Sequence, residues 1–522
     1  MQVAIIGSGP SGLVLAAALR RRGVAATIYE RVTGPEQLHA GAAVNLMQPA
    51  LRVLRDEGLL AAVARCNAPS THFYFHDAGA GVALRAVDLA ARYGEPYLTV
   101  RRGDATAALL AALPGAAPRF GKSVVGVATA AGGGEDDDGR VRVRFDDGAV
   151  SEERFEVVAG CDGIHSLLRS HVVAGHSEHS GGGAAASNAS NASNASNNAS
   201  AVVNLIGVAG PLALLTAASP ALAAALAQRP AFTVYLDPAV TLLLAPVAAD
   251  SVMFCVVASK EHFPESSGGG GGGGGDSGGD LRGALRDFLR ACTPPPSAFV
   301  VEVVEACLAH TPADNADALR LWRCRDTAPL RSFVRCRRHG GDGDGDGGDD
   351  GALGNVALVG DAAHAALPWT GLGISAAALD AQRLADALAA VNDEANPARV
   401  GGDDDDGGNG GGARAARPRP GAVAAALERY DADRRPRGHV VQRAARVSDG
   451  GQGPSAYGIG RRVLRVLPLK LVYGVQDALV RDAGGEVLDA CECRTAEAQL
   501  FVNAAMAVVA AVFVVFIARI FF

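Results

Sequence analysis

The chain carries no excess of positive charge. Its Lys and Arg number 48 against 55 Asp and Glu, a formal net charge of -7 over 522 residues. Without a basic stripe, nucleic acid is not expected among its partners. Its nine cysteines show no metal-ligand spacing, and Cys491 and Cys493 form a lone CxC pair. That odd, scattered set predicts reduced thiols in the cytosol and no metal site. No signal or transit pattern is read ahead of the first apolar stretch at Gln2, so the folded body is expected to face the cytosol.

What is abundant is apolar residue, at 49%, enough for two packed domains or one large one. The 66 glycines are inflated by low-complexity tracts at Gly132–Gly139, His176–Ser200, Ser266–Asp280, Gly340–Gly351 and Arg399–Gly421. Such tracts cannot bury apolar surface and are expected to be disordered surface loops. The second carries NAS sequons at Asn188, Asn191, Asn194 and Asn198, expected to stay unmodified because nothing upstream directs them to a lumen.

The stretch Asn355–Leu388, NVALVGDAAHAALPWTGLGISAAALDAQRLADAL, organises the rest. Val356–Val359 predicts a buried strand, stopped by Gly360-Asp361. Pro368 stiffens the following loop, Gly371 and Gly373 permit a tight turn, and a helix begins at Ile374. A carboxylate at a strand end beside a helix N-terminus suits an electron-rich ligand. The same pattern also reads as an ordinary strand-loop-helix unit with a capping Asp. His364 is expected to be packed or hydrogen-bonded rather than a catalytic base.

At the N-terminus, Gln2–Ile6 reads as a strand, GSGPSG follows at Gly7–Gly12, and a helix runs to Arg22. Ala25–Tyr29 is a second strand, ended by Glu30. This strand-glycine loop-helix context with an acid at the next strand end predicts dinucleotide binding. Gly7 allows the turn, Gly9 lets backbone approach a pyrophosphate, Gly12 lets helix pack on strand, and Glu30 accepts from a ribose hydroxyl. The motif alone does not separate NAD from FAD.

Further pieces separate them. Glu30-Arg31, GAAVNL at Gly41–Leu46, GLL at Gly58–Leu60, VRRGD at Val100–Asp104, CDGIHSLLR at Cys161–Arg169 and the GDAAH…P…GLG stretch together resemble the class A flavoprotein monooxygenases, the fold of para-hydroxybenzoate hydroxylase. The resemblance covers most of Met1–Ser448 outside the tracts. It implies an α/β Rossmann-like FAD-binding domain interleaved with an antiparallel-sheet substrate domain. It implies permanently bound FAD, NADPH or NADH as co-substrate, O2, and oxygen transfer through a C4a-hydroperoxyflavin, with no protein nucleophile. The implied cofactor residues are Gly7, Gly9, Gly12, Glu30, Arg31, Ala43, Arg102 (Arg101 as fallback), Asp162, Asp361, Gly371, Gly373 and Ile374. Leu372 and Leu379 depart from the family, which usually has Gln and Glu there, and this bears on flavin-loop packing and coenzyme response.

On this basis residues 1–72, 101–175 and 331–448 form the FAD-binding part, with inserts at 340–351 and 399–421. Residues 73–100 and 201–330 form the substrate part, with an insert at 176–200. Ala201–Val208, Ala231–Leu236, Val240–Pro246 and Val252–Ser259 read as strands, the last three as an antiparallel meander. Leu205, Tyr235, Leu243 and Phe254 are the expected substrate lining, and Ala422–Ser448 is a long charged helix that resembles the family's final helix and by itself reads as an exposed amphipathic one. Residues 449–499 are a linker. Leu500–Ile517 holds 18 residues without a charge, and Leu500–Phe522 is expected to form a C-terminal hydrophobic helix, a single-pass tail anchor in a membrane such as the endoplasmic reticulum. A hydrophobic small-molecule substrate, terpenoid or polycyclic, follows from that location. Rival readings are a related epoxidase, halogenase or reductase, although no WxWxIP element is present, and a non-catalytic FAD-binding membrane scaffold.

Overall fold

The computed structural model describes residues 1–39, 43–67, 69–113, 115, 117–128, 140–177, 198–263, 280–312, 319–336, 355–396 and 416–449. Leu500–Phe522 and almost all of the low-complexity tracts lie outside them. Among the described residues, no helix is long and apolar enough to cross a membrane.

The first sheet has five strands in the order Val334–Arg335, Val356–Leu358, Val157–Gly160, Gln2–Ile6, Ala25–Tyr29. All neighbours are parallel except the antiparallel edge pair Val334–Arg335 and Val356–Leu358. Val356–Leu358 and Val157–Gly160 are buried along their whole length, as their uninterrupted apolar runs require in a sheet covered on both faces. Helices Pro10–Arg21, Gly373–Ala395 and Pro420–Asp449 pack together in this half. Helix Gln48–Asp56 joins them through the buried carboxylate of Glu57 just beyond its end, which accepts from Arg22 Nη1 at 2.9 Å and from Gln382 Nε2 at 3.1 Å.

The second sheet has seven strands in the order Leu319–Asp326, Asn198–Ala209, Val252–Ser259, Thr241–Pro246, Thr233–Leu236, His72–Asp77, Val82–Asp88. The meander is present, but the sheet is not wholly antiparallel: Thr233–Leu236 runs parallel to His72–Asp77. The cause is connectivity, because the two strands come from chain segments separated by an entire lobe of the first sheet. Residues 98–101 leave this sheet and pair with Ala43–Leu46 instead. Tract ends are also recruited. Asn198–Ser200 opens a strand, Asp280 caps helix Leu281–Ala291 by accepting from Gly283 N at 2.8 Å, and Pro420 and Gly421 begin the last helix.

One face of the second sheet is closed by helices Leu281–Ala291 and Ala298–Ala309. Leu205, Tyr235 and Phe254 point into that core. This corrects the expected lining, in which only Leu243 sits on the opposite face. Strand side chains alternate, so Ile206, Met253 and Cys255, one residue over, face the flavin-sheet side.

Candidate active site

The carboxyl ends of the central strands bring the expected residues together, the usual ligand position in open α/β sheets. Gly7 has φ +100°, and a Cβ there would lie 2.5 Å from the Cys161 carbonyl oxygen. At Gly12 a Cβ would lie 2.0 Å from the Gly7 carbonyl oxygen. These two glycines therefore let loop, helix and the Cys161-Asp162 strand end touch. Gly9, the N-cap of helix Pro10–Arg21, has open space around its missing side chain, as do Gly371 and Gly373. Neither helix Pro10–Arg21 nor helix Gly373–Ala395 has an acid in its first turn, so their free N–H groups stay available to an anion.

Glu30 is buried and already engaged: Oε2 accepts from Ser8 N at 2.8 Å and Ser8 Oγ at 2.9 Å, and Oε1 accepts from Val32 N at 3.1 Å. It therefore pins the glycine loop, with lone pairs left on Oε1 for a ribose. Asp162 Oδ2 accepts from Leu167 N at 2.9 Å, while Oδ1 is buried without a partner among the described residues. Burial pushes this carboxyl up, against bonds from Ser166 and the backbone of its own loop. Asp361 sits in the first turn of the short helix Asp361–His364 with its side chain exposed. Arg102 opens helix Arg102–Ala111 and, with Pro10, Ser11, Val44, Ile374 and Ala377, lines a single cleft. Arg101, the fallback, instead donates to Ser251 Oγ at 2.7 Å, and Ala43 pairs with it across the two-stranded ribbon. Arg31 is exposed on the other side of the loop, near His165.

The orphaned Asp162 oxygen, the exposed Asp361, the cation at Arg102 and the glycine cradle fit a long dinucleotide such as FAD. Leu372 and Leu379 both point into the core, so their departures are packing choices.

Several residues escaped the sequence reading. Arg169, the last residue of the CDGIHSLLR motif, is buried and donates to the carbonyls of Ala362 (2.8 Å), Ile164 (2.8 Å) and Asp361 (2.7 Å). It bolts the Asp162 loop to the Asp361 turn. His165 is held below its usual pKa by burial and then by Arg325, Arg31 and Arg169, which makes this rim cationic. His364 is packed, as expected: its Nε2 meets Asp380 Oδ2 at 2.5 Å, both fully buried. The helix Pro420–Asp449 has a buried side as an amphipathic helix must, but that side includes polar residues. Tyr430, Arg434 and Gln442 are buried along it.

Facing this site is the second sheet, with Ile206, Val208, Leu243, Met253 and Cys255 against Ala43 and Trp369. Trp322 and Cys324 pack with Leu367 and Trp369 beside it. Asn204 is buried there, donating to Cys324 Sγ at 3.3 Å, with Oδ1 unpartnered among the described residues. Arg320, on the next strand, has its charge disfavoured by burial and by Arg102.

The comparisons agree with this arrangement. The family model described as "FAD binding domain" matches residues 1–221 and 350–401, more than half of the chain. A 6-hydroxynicotinate 3-monooxygenase of Bordetella bronchiseptica is 33% identical over 176 residues, 33% of this chain and 43% of that protein. A 3-amino-4-hydroxybenzoate 2-monooxygenase of Streptomyces platensis is 34% identical over 190 residues, 34% of this chain and 45% of that protein. The chain thus spans less than half the length of these two relatives. The FAD-dependent monooxygenase sor5 of Hypocrea jecorina is 28% identical over 415 residues, 77% of this chain and 78% of that protein. Klebsiella pneumoniae HpxO, solved with FAD and uric acid, shares the fold with a TM-score of 0.62 at 20% identity, over 92% of this chain and 97% of that one. The glycine loop, the Asp162 and Asp361 strand ends and the family match converge on one conclusion: the chain belongs to the FAD-binding-domain family on which the class A flavoprotein monooxygenases are built.

Proposed function

We propose that the protein is an FAD-dependent monooxygenase that uses NADH or NADPH and O2 to insert one oxygen atom into a small aromatic or otherwise hydrophobic molecule. The observation that carries this reading is the apolar sheet face of Ile206, Val208, Leu243 and Met253 set against the Trp369 loop, beside the FAD residues. FAD, when bound, would supply reduction by the nicotinamide and activation of dioxygen. The chain's own part is to hold the cofactor through Asp162, Asp361, Arg102 and the glycine backbones, and to keep water from the site with Trp369, Trp322 and the aliphatic strand residues. Asn204 Oδ1 is a polar handle for a substrate hydroxyl or amine. The cations Arg31 and Arg325 near His165 support an anionic coenzyme at the Asp162 loop. Two of the named relatives are monooxygenases of ring-substituted aromatic acids, which supports an aromatic acceptor over the terpenoid expected from the sequence. With isotopically labelled dioxygen and a panel of phenols, hydroxypyridines and polyprenyl compounds, the product should carry one labelled atom. Label arriving from water, or oxidation without insertion, would overturn the reading.

The reading includes a membrane anchor at Leu500–Phe522, supported by that segment's uncharged run alone. Full-length protein should stay with membranes through alkaline carbonate washing, and a chain ending at Cys493 should not. Both in the soluble fraction would return the segment to a core-helix role.

A further inference from the structure

Every fourth residue of the helix Pro420–Asp449 meets the Asp361 segment or an element packed beside it. Tyr430 donates to the Leu358 carbonyl at 2.7 Å. Arg434 Nε donates to Asp380 Oδ1 at 2.9 Å. Gly438 lies so close to His364 that a Cβ would fall 2.7 Å from its ring. Gln442 donates to the Ala365 carbonyl at 3.0 Å, and Arg446 to the Thr327 carbonyl at 2.7 Å. Residues four apart are neighbours on a helix surface, so these five form a continuous stripe that winds slowly around the helix, and three of them, Tyr430, Gly438 and Gln442, lie against residues 358–365 like a rail.

At the centre of the rail one carboxylate grips both ends of the Asp361 turn. Asp380 Oδ2 accepts from Gly360 N at 3.1 Å, at the turn's start, and meets His364 Nε2 at 2.5 Å, at its end. Its other oxygen is held by Arg434, and all three side chains are buried. We propose that His364, Asp380 and Arg434 are positioning residues for FAD: they set the turn that presents the exposed Asp361 carboxylate to the cofactor, and they grip it most tightly while the His364 ring is charged, because a neutral ring keeps the Nε2–H bond to Asp380 but loses the ion pair. The inference rests on FAD binding and not on the oxygen chemistry.

The charges support this. Burial alone would lower the His364 pKa, but the charge and hydrogen bond of Asp380, and then Asp361, outweigh it and leave it raised above its ordinary value of 6.5. Burial would raise Asp380, but His364 and then Arg434 hold it below 3.8. The groups facing His364 are Asp380 on its own packing helix, Asp361 in the turn, and Arg434 and His439 on the rail. Because the folded His364 value is raised, its contribution is complete below pH 6.5 and is lost as pH rises through the folded value. Asp380, being lowered, contributes throughout that range.

The test is FAD affinity, read by flavin fluorescence on the full-length chain without coenzyme or substrate, from pH 6 upward to about pH 10. Affinity should fall about tenfold or more through one titration above pH 6.5, equivalent to about 1.4 kcal/mol, while the circular dichroism of the FAD-free protein stays constant. His364→Gln should bind FAD more weakly with that titration gone, and Arg434→Lys should restore part of the affinity lost in Arg434→Met. A flat wild-type profile would overturn the proposal even if no variant folds, as would a His364→Gln protein that keeps the titration. Oxygen insertion plays no part in this readout, so its absence would leave the result standing.

Discussion

At the scale of single residues, the cofactor cradle is set by what is missing as much as by what is present. Gly12→Ala places a methyl 2.0 Å from the Gly7 carbonyl oxygen. The clash is with backbone, which cannot swing aside, so the change should cost about 1–3 kcal/mol and empty the site of flavin, read by melting temperature and absorbance. Asp361→Ala should behave differently. The side chain is exposed and acts on its buried neighbours His364 and Arg169 only through its charge, so FAD affinity should fall with the melting temperature of the FAD-free protein nearly unchanged. Asn204→Leu tests the substrate side. Removing an unsatisfied buried oxygen should leave stability equal or up to about 1 kcal/mol higher, while substrate-stimulated NAD(P)H oxidation falls and flavin content holds. A drop in flavin would move Asn204 to the cofactor.

At the scale of elements, the two cofactor loops are joined by one arginine and braced by one helix. Arg169 satisfies three carbonyls drawn from both loops, and Arg169→Ala leaves buried acceptors bare. A destabilisation of about 3 kcal/mol is expected, with faster flavin loss, measured by denaturant unfolding and dilution-induced fluorescence. Gly438→Ala should loosen the rail, since the methyl would meet both His364 and Phe333, whose ring lies 3.0 Å from it. The expected loss is about 1–3 kcal/mol. Helix propensity alone would predict a gain for the same change of about 1 kcal/mol, so the sign of the measured shift decides whether the contact is as tight as drawn. The rail was invisible in the sequence because its stripe of Tyr430, Arg434, Gly438, Gln442 and Arg446 is mostly polar. Periodicity arguments look for apolar faces, and charged residues at such spacing look like a solvated side.

At the scale of the molecule, two sheets from interleaved segments meet across the site. The strand Leu319–Asp326 ends where Asp326 and Thr327 are held by Arg446 and Gln442 of the last helix. The substrate sheet and the flavin loop are therefore tied through the helix Pro420–Asp449 as well as through each other. The Gly340–Gly351 tract holds almost no apolar residues. Excising it with a short linker should leave flavin content and melting temperature nearly unchanged. The Arg399–Gly421 tract needs a different boundary, because Ala416 O accepts from Asn396 and Pro420 opens the rail helix. Deletion through Gly421 should lower the melting temperature, and deletion confined to residues 399–414 should not.

Local chemistry in the sequence determined the cofactor half almost alone. The strands Gln2–Ile6 and Ala25–Tyr29 and the glycine loop between them are specified by residues near one another in the chain, where steric demands leave few options. The tertiary structure decided what depends on distant partners. It chose the face of the second sheet that lies against Ala43 and Trp369, since alternation offers two apolar faces and the helices Leu281–Ala291 and Ala298–Ala309 claim the other. It also decided that Arg434 is buried, because a guanidinium leaves water only when a carboxylate such as Asp380, brought from elsewhere in the chain, is there to receive it.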